Sequence, residues 1–250
     1  MKIDRVVFSL DTNKTYTGFW NVVSEVWNKC FDVIPTLGFL GTNEQVKQLG
    51  LSEEFGEIIV IKKPPVNSID STSWCTPCLL TYLPSQFPND VCMTSGIDQL
   101  PLGSNLFIDS VKEISENRFY VGFGNAYGHN KWYPSSHLVA KGELYKSIFN
   151  INGDFESYIK EIEKWGVNNR SLAWGLDEWY LGDFLKNNPN VILGNIFDEW
   201  KSRRLCRAGT LEYRYERLQN NEYSELHAPR PYEQHKEYID MLVKHILETR

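Results

Sequence analysis

Short apolar runs alternate with helical patterns along the first hundred residues. Strands are predicted over residues 4–10, 33–40, 57–61 and 91–97, where apolar residues run together between turn-forming residues. A helix is predicted after the first strand, because apolar side chains recur there at helical spacing, at Phe19, Val22, Val23, Val26, Trp27 and Cys30. Further helices are predicted over 44–49 and 73–83. This alternation predicts an α/β fold with a mostly parallel central sheet flanked by helices.

The second half is less regular but continues in the same class. Its predicted strands cover 119–123 and 190–193, and its predicted helices cover 141–149, 155–165, 177–185 and 232–247. The last helix is amphipathic, with an apolar face formed by Tyr238, Met241, Leu242, His245 and Ile246. Because no stretch reads as a linker, residues 1–250 are predicted to form a single domain.

Composition narrows the classes of function. The net charge of −6 argues against a general nucleic-acid binder. No apolar run approaches the ~18 residues of a membrane span. Residues 1–5 run straight into the first predicted strand, so no signal peptide is expected. The 5 cysteines are odd in number and sparse, which favours a reducing compartment over a disulfide scaffold. A cytoplasmic location is therefore expected.

The ends of the predicted strands indicate where a ligand would bind. In open α/β sheets, ligands bind beyond the carboxyl ends of the strands. Residues 11–13 follow the first strand and Asp98 follows the fourth, so we expect these polar groups at one edge. A carboxylate there suits a hard divalent cation, which prefers oxygen ligands and can bridge a diphosphate. The alternative is a turn or helix-capping aspartate that closes the strand.

The segment around Asp98 carries a family resemblance. Residues 91–102, VCMTSGIDQLPL, resemble the strand and DXD motif of nucleotide-sugar glycosyltransferases with the A-type, Rossmann-like fold, a superfamily with small members in large DNA viruses and bacteria. Three later segments follow in the family's order. Residues 133–149 are similar to its acceptor-side segment, 174–181 to its late acidic motif, and 227–232 to a C-terminal motif that closes over the donor.

The resemblance implies one A-type glycosyltransferase domain, whose half over 1–102 binds the nucleotide sugar and whose half over 103–250 binds the acceptor and closes the site. Such an enzyme moves a sugar, of hexosyl or deoxyhexosyl type, from a nucleotide-diphosphate sugar to a glycan or glycoconjugate acceptor. Mn²⁺ or Mg²⁺ is implied as the cofactor, with Asp98 as the ligand that carries over from the motif. A second ligand would come from His227, Asp11 or the donor diphosphate itself. The sequence departs from the family at Gly96, which stands where the motif has its first aspartate.

The resemblance also implies the remaining contacts. Those expected near the nucleotide sugar are Leu10, Asp11, Thr12, Asn13, Tyr16, Gly96, Ile97, Asp98, Arg204 and Arg207. Those expected at the acceptor are Tyr133, His137, Lys141, Gly142 and Trp174. Arginines suit bidentate phosphate contacts, although a solvated charged face explains the basic run over 201–207 equally well.

Asp177 and Glu178 are the predicted catalytic residues. Glycosyl transfer needs an acidic group near the anomeric carbon, which deprotonates the acceptor in an inverting enzyme and stabilises or attacks an oxocarbenium-like species in a retaining one. Adjacent helical residues point about 100° apart. Asp177 is therefore expected at the reacting carbon. Glu178 is expected either to take the place of Asp177 or to orient Asp177 and the acceptor. The alternative is that both acids only complement the dipole of the predicted helix.

Two other interpretations stay open. Residues 74–78, WCTPC, resemble the thioredoxin active site, in which a cysteine at a helix N-terminus has a lowered pKa. A redox role for Cys75 and Cys78 is disfavoured because residues 64–73 separate this run from the preceding strand. The second alternative is a non-catalytic nucleotide- or sugar-binding relative, since Gly96 has already replaced one acid.

Overall fold

The computed structural model describes residues 1–66, 71–102, 106–128, 132–169, 172–206, 215–220 and 222–249. The strands within these ranges are β1 (Arg5–Leu10), β2 (Ile34–Leu40), β3 (Glu57–Ile61), β4 (Val91–Thr94), β5 (Gln99–Pro101), β6 (Phe119–Val121), β7 (Leu138–Lys141), β8 (Val191–Leu193), β9 (Arg204–Cys206) and β10 (Glu225–His227). The helices are α1 (Phe19–Phe31), α2 (Asn43–Gln48), α3 (Ser71–Tyr82), α4 (Leu106–Asp109), α5 (Gly142–Ile148), α6 (Phe155–Asn169), α7 (Leu176–Leu185), α8 (Phe197–Ser202), α9 (Tyr215–Gln219) and α10 (Tyr232–Thr249).

The predicted α/β fold with a mostly parallel sheet is confirmed. In the described part of the chain, seven strands form the central sheet in the order β3-β2-β1-β4-β7-β6-β8. Its pairings are parallel except for the two made by β7, which runs antiparallel to β4 and to β6. A second sheet, in the order β5-β10-β9, lies beyond the carboxyl end of β4, because β5 begins five residues after that strand.

Alternation along the central strands divides the core between the two faces of the sheet. Val6 and Phe8 of β1 belong to one apolar cluster, whereas Val7 belongs to the other, as the period of two in a strand requires. The first cluster is shared with α1 and α10, and the second with α3, α6 and α7. The sheet is therefore covered on both faces, which is the usual arrangement for parallel strands.

The structure corrects three details of the sequence prediction. The apolar run EIIVI over 57–61 predicts a buried strand, but β3 is only half-buried because it is an edge strand with one neighbour. Met241 is exposed, and α10 instead buries Ile239 and Val243 beside Leu242. The small sheet and β7 were not predicted as strands, because segments of three or four residues give too little periodicity. No helix among the described residues is long and apolar enough to cross a bilayer.

The amino ends of four central strands are joined by one buried cation, Arg5. Its guanidinium contacts the Glu57 carboxylate of β3 and the Thr36 hydroxyl of β2, and its Nε donates to Asp90, just before β4, at 3.0 Å. The guanidinium also lies 3.8 Å from the ring centroid of Phe87. Since the carboxylates stay partly exposed, the pairing avoids the full desolvation cost of a buried ion pair.

The cysteines of α3 lie inside the protein. Cys75 and Cys78 are buried in the apolar cluster of that helix, and Cys78 Sγ contacts the carbonyl oxygen of Trp74 at 3.1 Å. Burial raises the pKa of the Cys75 thiol to about 12 and that of Cys78 well above its usual range. A redox active site needs the opposite shift. The thioredoxin-like alternative is therefore wrong on both the fold and the thiol environment.

Replacing Arg5 with alanine is expected to lower the free energy of unfolding by about 3 kcal/mol, the lower end of the range for breaking a buried pair. Urea denaturation measures the change. Lys2→Ala is the matched control, because Lys2 pairs with Asp32 on the open surface and its removal is expected to change little. An Arg5→Ala protein as stable as the wild type would contradict the role given to this cation.

Cys75 and Cys78 are expected to resist alkylation by N-ethylmaleimide in the native protein at pH 8, because both thiols are buried and protonated. Cys30, which is half-buried, is expected to react first. Peptide mass mapping measures modification at each cysteine, and the same reaction in urea shows that every thiol is chemically competent. Rapid native modification of Cys75 or Cys78 would contradict this environment.

Candidate functional site

The loop after β1 is shaped by side-chain hydrogen bonds. The backbone N–H of Asn13 donates to Asp11 Oδ1 at 2.8 Å, and that of Thr15 donates to Asn13 Oδ1 at 3.0 Å. The other oxygen of Asp11 accepts from the Thr76 hydroxyl at 2.9 Å, which ties the loop to α3. Thr12 and Asn13 are exposed here, while Leu10 is buried below them. The predicted nucleotide loop thus lies at the carboxyl edge of the sheet.

Charged groups converge beyond the carboxyl end of β4. Asp98 Oδ2 lies 3.4 Å from His227 Nε2 and 3.4 Å from Arg230 Nε. Arg204 Nη1 lies 3.3 Å from His227 Nδ1 on the neighbouring strand. The guanidinium of Arg230 also lies 4.7 Å from the ring centroid of Tyr16, which connects this cluster to the loop after β1.

The turn that carries Asp98 explains this placement. The backbone N–H of Gln99 donates to the Gly96 carbonyl at 3.0 Å, and the Gly96 N–H donates to Gln99 Oε1 at 2.6 Å. The Ala228 N–H then donates to the Asp98 carbonyl at 2.8 Å and fixes the end of β10 against the turn. Ile97 is buried within it. The family's first acid position is thus filled by a glycine closed over by the Gln99 amide.

Asp98 and His227 fit as two ligands of one divalent cation. Two ligand atoms at right angles on a cation with bonds of about 2.1 Å lie about 3 Å apart, close to the observed 3.4 Å. The Asp98 carboxylate suits a hard cation such as Mg²⁺ or Mn²⁺, whereas the His227 imidazole favours Mn²⁺ of the two, and phosphate oxygens would complete the set. Among the described residues, no group of three His, Cys, Asp or Glu side chains could hold a metal without such help.

Asp177 and Glu178 begin α7 and have perturbed environments. Burial raises the pKa of Asp177 to about 6, although the Ser135 hydroxyl hydrogen-bonds to it. Burial, and then the charge of Asp177, raise the pKa of Glu178 to about 8. The Tyr127 hydroxyl donates to Glu178 Oε2 at 3.2 Å. Two adjacent carboxyls with separated pKa values have the electrostatics expected of a catalytic pair.

The segment before β7 connects the acids to the central sheet. The Thr94 hydroxyl, at the end of β4, donates to the Ser135 carbonyl at 2.6 Å, and the His137 N–H donates to the Thr94 carbonyl at 2.7 Å. Ser135 in turn bonds Asp177 and Glu178. The hydrogen bonds of Ser135 and Thr94 therefore link the acids to the carboxyl end of β4, which precedes Asp98.

The predicted acceptor residues do not form one group. Trp174 is 74% exposed beside the acids, whereas Tyr133 and His137 are buried. Lys141 pairs with Glu116, and the Gly142 N–H donates to the Asp90 carbonyl. These last two residues lie at the amino end of β4, opposite Asp98, because antiparallel β7 carries the chain back along that strand.

Several site residues escaped the sequence analysis. An aromatic column of Tyr127, Trp132 and Trp179 stands beside the acids, with ring centroids 4.0 Å and 4.9 Å apart and nearly parallel planes. Arg230 lay inside the quoted C-terminal motif, and its charge was a usable signal. No sequence signal pointed to Ser135 or to the aromatic column, since their contacts depend on segments that are distant in the chain. Arg207 lies outside the described residues, whereas Arg204 lies over the Trp200 ring at 3.8 Å.

No protein-family model matches the chain, and a comparison with curated proteins finds no match. Solved structures do match. The galactosyltransferase LgtC, in complex with donor and acceptor sugar analogs, has a TM-score of 0.55 at 13% identity over 96% of this chain and 95% of its own.

The apo-form glycosyltransferase GlyE of Streptococcus pneumoniae TIGR4 has a TM-score of 0.54 at 14% identity, over 99% of this chain and 62% of its own. An active-site variant of LgtC gives the same score as LgtC itself at 14% identity. Identities this low indicate the fold alone. The chain has the A-type glycosyltransferase fold that the sequence analysis expected.

Proposed function

We propose that this protein is a glycosyltransferase, which moves a hexosyl or deoxyhexosyl group from a nucleotide-diphosphate sugar to a glycan or glycoconjugate acceptor. The observation that carries the proposal is that two chemical groups both lie near the carboxyl end of β4 in this fold. Asp98, His227, Arg204 and Arg230 form a charged cluster suited to a diphosphate. The acids of α7 lie next to the same strand end, linked through Ser135.

The charged cluster is the proposed donor end of the site. Asp98 and His227 would hold Mn²⁺ or Mg²⁺, which when bound neutralises charge on the leaving nucleoside diphosphate. Arg230 and Arg204 bring two further positive charges to the same place, and guanidinium groups match phosphate oxygens in geometry. Fixed charges aimed at a leaving group stabilise it most when the surroundings exclude water. Asp98 is buried, in keeping with that requirement.

The acids are the proposed reacting end. Burial raises the pKa of both acids, and the charge of Asp177 raises that of Glu178 further, so the pair as a whole keeps one proton near neutral pH, held mainly on Glu178. The ionised carboxylate would accept the acceptor proton or stabilise positive charge at the anomeric carbon. The neutral one would donate a hydrogen bond to the substrate. Trp174 and the aromatic column offer apolar ring faces beside them, which suit the C–H face of a sugar.

A non-catalytic nucleotide- or sugar-binding protein is the second candidate. Gly96 favours it, because the position holds no acid and the Gln99 amide closes over it. Turnover separates the two functions. Hydrolysis or transfer of any sugar from UDP-, GDP-, dTDP- or ADP-sugars supports the transferase, whereas tight nucleotide binding without turnover supports the binding protein.

Replacing Asp98 with asparagine is expected to weaken nucleoside diphosphate binding in the presence of Mn²⁺ at least tenfold, since a charge-assisted contact contributes about 1.5–3 kcal/mol. Calorimetric titration with and without Mn²⁺ measures the loss. Asp32→Asn makes the same chemical change at an exposed residue near the opposite end of the sheet and is expected to bind normally. Unchanged Mn²⁺-dependent binding by Asp98→Asn would refute the donor site.

Replacing Glu178 with glutamine, which mimics its neutral form, is expected to remove the alkaline fall in transferase rate near pH 8 and to leave the acid fall near pH 6, set by Asp177. The pH profile of kcat measures both limbs. Stability gives an independent check. Because the native pKa of Glu178 is raised, native Glu178 keeps its proton above the pH at which the unfolded chain ionises, so this group costs stability as the pH rises toward 8.

Glu178→Gln is therefore expected to unfold at higher urea concentration than the wild type at pH 8.5, with little difference at pH 4. An identical pH dependence of stability in both proteins would mean that Glu178 is an ordinary solvated acid.

A further inference from the structure

A buried pair of polar side chains, His137 and Glu225, joins the two sheets beneath the site. Each is 2% exposed, and His137 Nε2 lies 3.3 Å from Glu225 Oε2. The other Glu225 oxygen accepts from Trp200 Nε1 at 3.0 Å. The imidazole lies between two rings, with centroids 4.1 Å from Phe107 and 4.3 Å from Phe123. The partners are 88 residues apart in sequence, so only the tertiary fold brings them together.

Each partner belongs to a segment that carries one end of the site. Glu225 begins β10, and His227, the proposed cation ligand, ends it. His137 ends the segment whose Ser135 hydrogen-bonds Asp177 and Glu178. The 3.3 Å approach is thus a direct polar contact between the strand of the charged cluster and the segment that contacts the acids, although neither ring nitrogen of His137 makes a hydrogen bond within the described part of the chain.

The local conformation shows that this contact is costly. His137 has a φ of 61°, in the left-handed region that a non-glycine residue adopts at some expense. Well-packed apolar side chains of similar volume often stabilise a core as much as, or more than, a buried polar pair. His137 and Glu225 therefore do not serve mainly to stabilise the core. Their role is better explained by the fixed positions of the segments that carry them.

We propose that His137 and Glu225 are positioning residues, which set the distance between the charged cluster at Asp98 and His227 and the acids at Asp177 and Glu178. The inference rests on the proposed function. The sugar donor would span the two groups, so a shift of β10 relative to the segment over 133–137 would separate the leaving diphosphate from the reacting carbon. Misplacement of about 1 Å can reduce a rate a hundredfold.

The test compares four variants with the wild type. Glu225→Met removes the acceptor atoms at nearly constant length, and Glu225→Gln keeps an oxygen for Trp200 and a polar group for His137. His137→Asn shortens the side chain but tolerates a positive φ. The double variant His137→Asn with Glu225→Met completes a double-mutant cycle, which measures whether the two residues act together. Asp90→Asn is the matched control, because it breaks the contact with Arg5 at the opposite end of the same sheet.

We expect Glu225→Met and His137→Asn each to lower kcat tenfold to a hundredfold while the Kd for Mn²⁺ and nucleoside diphosphate changes less than threefold. Glu225→Gln is expected to recover most of the rate. The double variant is expected to be no slower than the slower single variant, because both remove the same link. Asp90→Asn is expected to lose stability and keep its kcat.

Other outcomes identify which claim is wrong. An active wild type whose Glu225→Met and His137→Asn variants keep full kcat at temperatures where they are folded overturns the positioning role alone. Losses in kcat that multiply in the double variant overturn it as well, since they show that the two residues act independently. A loss of kcat that Asp90→Asn reproduces also overturns it, since it reports general destabilisation. A wild type that turns over no nucleotide sugar overturns the proposed function and this inference with it.

Discussion

The candidate site depends on the hydrogen bonds of one buried threonine, Thr94, at the end of the central strand β4. Its hydroxyl donates to the Ser135 carbonyl and accepts from the Leu138 N–H, while its own carbonyl accepts from the His137 N–H. These bonds start the antiparallel pairing of β7 and fix the segment before it. Because that segment contacts the acids of α7, the position of Asp177 follows from where β4 ends.

Charge is distributed in two separate parts around this strand end. On one side, an aspartate and a histidine lie among two arginines in the small sheet and its C-terminal loop. On the other, one buried carboxyl, Asp177, and one half-buried carboxyl, Glu178, lie in the first turn of a helix and hold their protons more tightly than free acids. A donor whose diphosphate is anionic and whose anomeric carbon becomes positive in the transition state matches this polarity from end to end.

Gly96 stands where the motif that this segment resembles has an acid, and the turn around it is closed without one. A Cβ placed there would meet the Gln99 amide oxygen at 2.8 Å, at the flexible end of a side chain. The turn is closed by the hydrogen bond from the Gly96 N–H to that oxygen, so Asp98 keeps its position without a neighbouring acid. Arg230, whose Nε lies 3.4 Å from the Asp98 carboxylate, adds positive charge at this place. The cluster thus combines the proposed cation ligands Asp98 and His227 with the fixed positive charge of Arg230.

The sequence by itself determined the fold class, the order of the longer strands and helices, and the edge of the sheet at which the candidate site residues lie. Hydrophobic periodicity is a local property, so it identified β1, α1 and α10 within a few residues of their ends. The resemblance also brought Asp98 and His227 into one hypothesis, and the two side chains do lie together. Only the tertiary structure decided the rest. The antiparallel course of β7 places Lys141 and Gly142 at the far end of the sheet, and it depends on pairing with β4, about fifty residues earlier in the chain. The contact between His137 and Glu225 and the raised pKa values of Asp177 and Glu178 likewise arise from burial by distant segments, which no local pattern records.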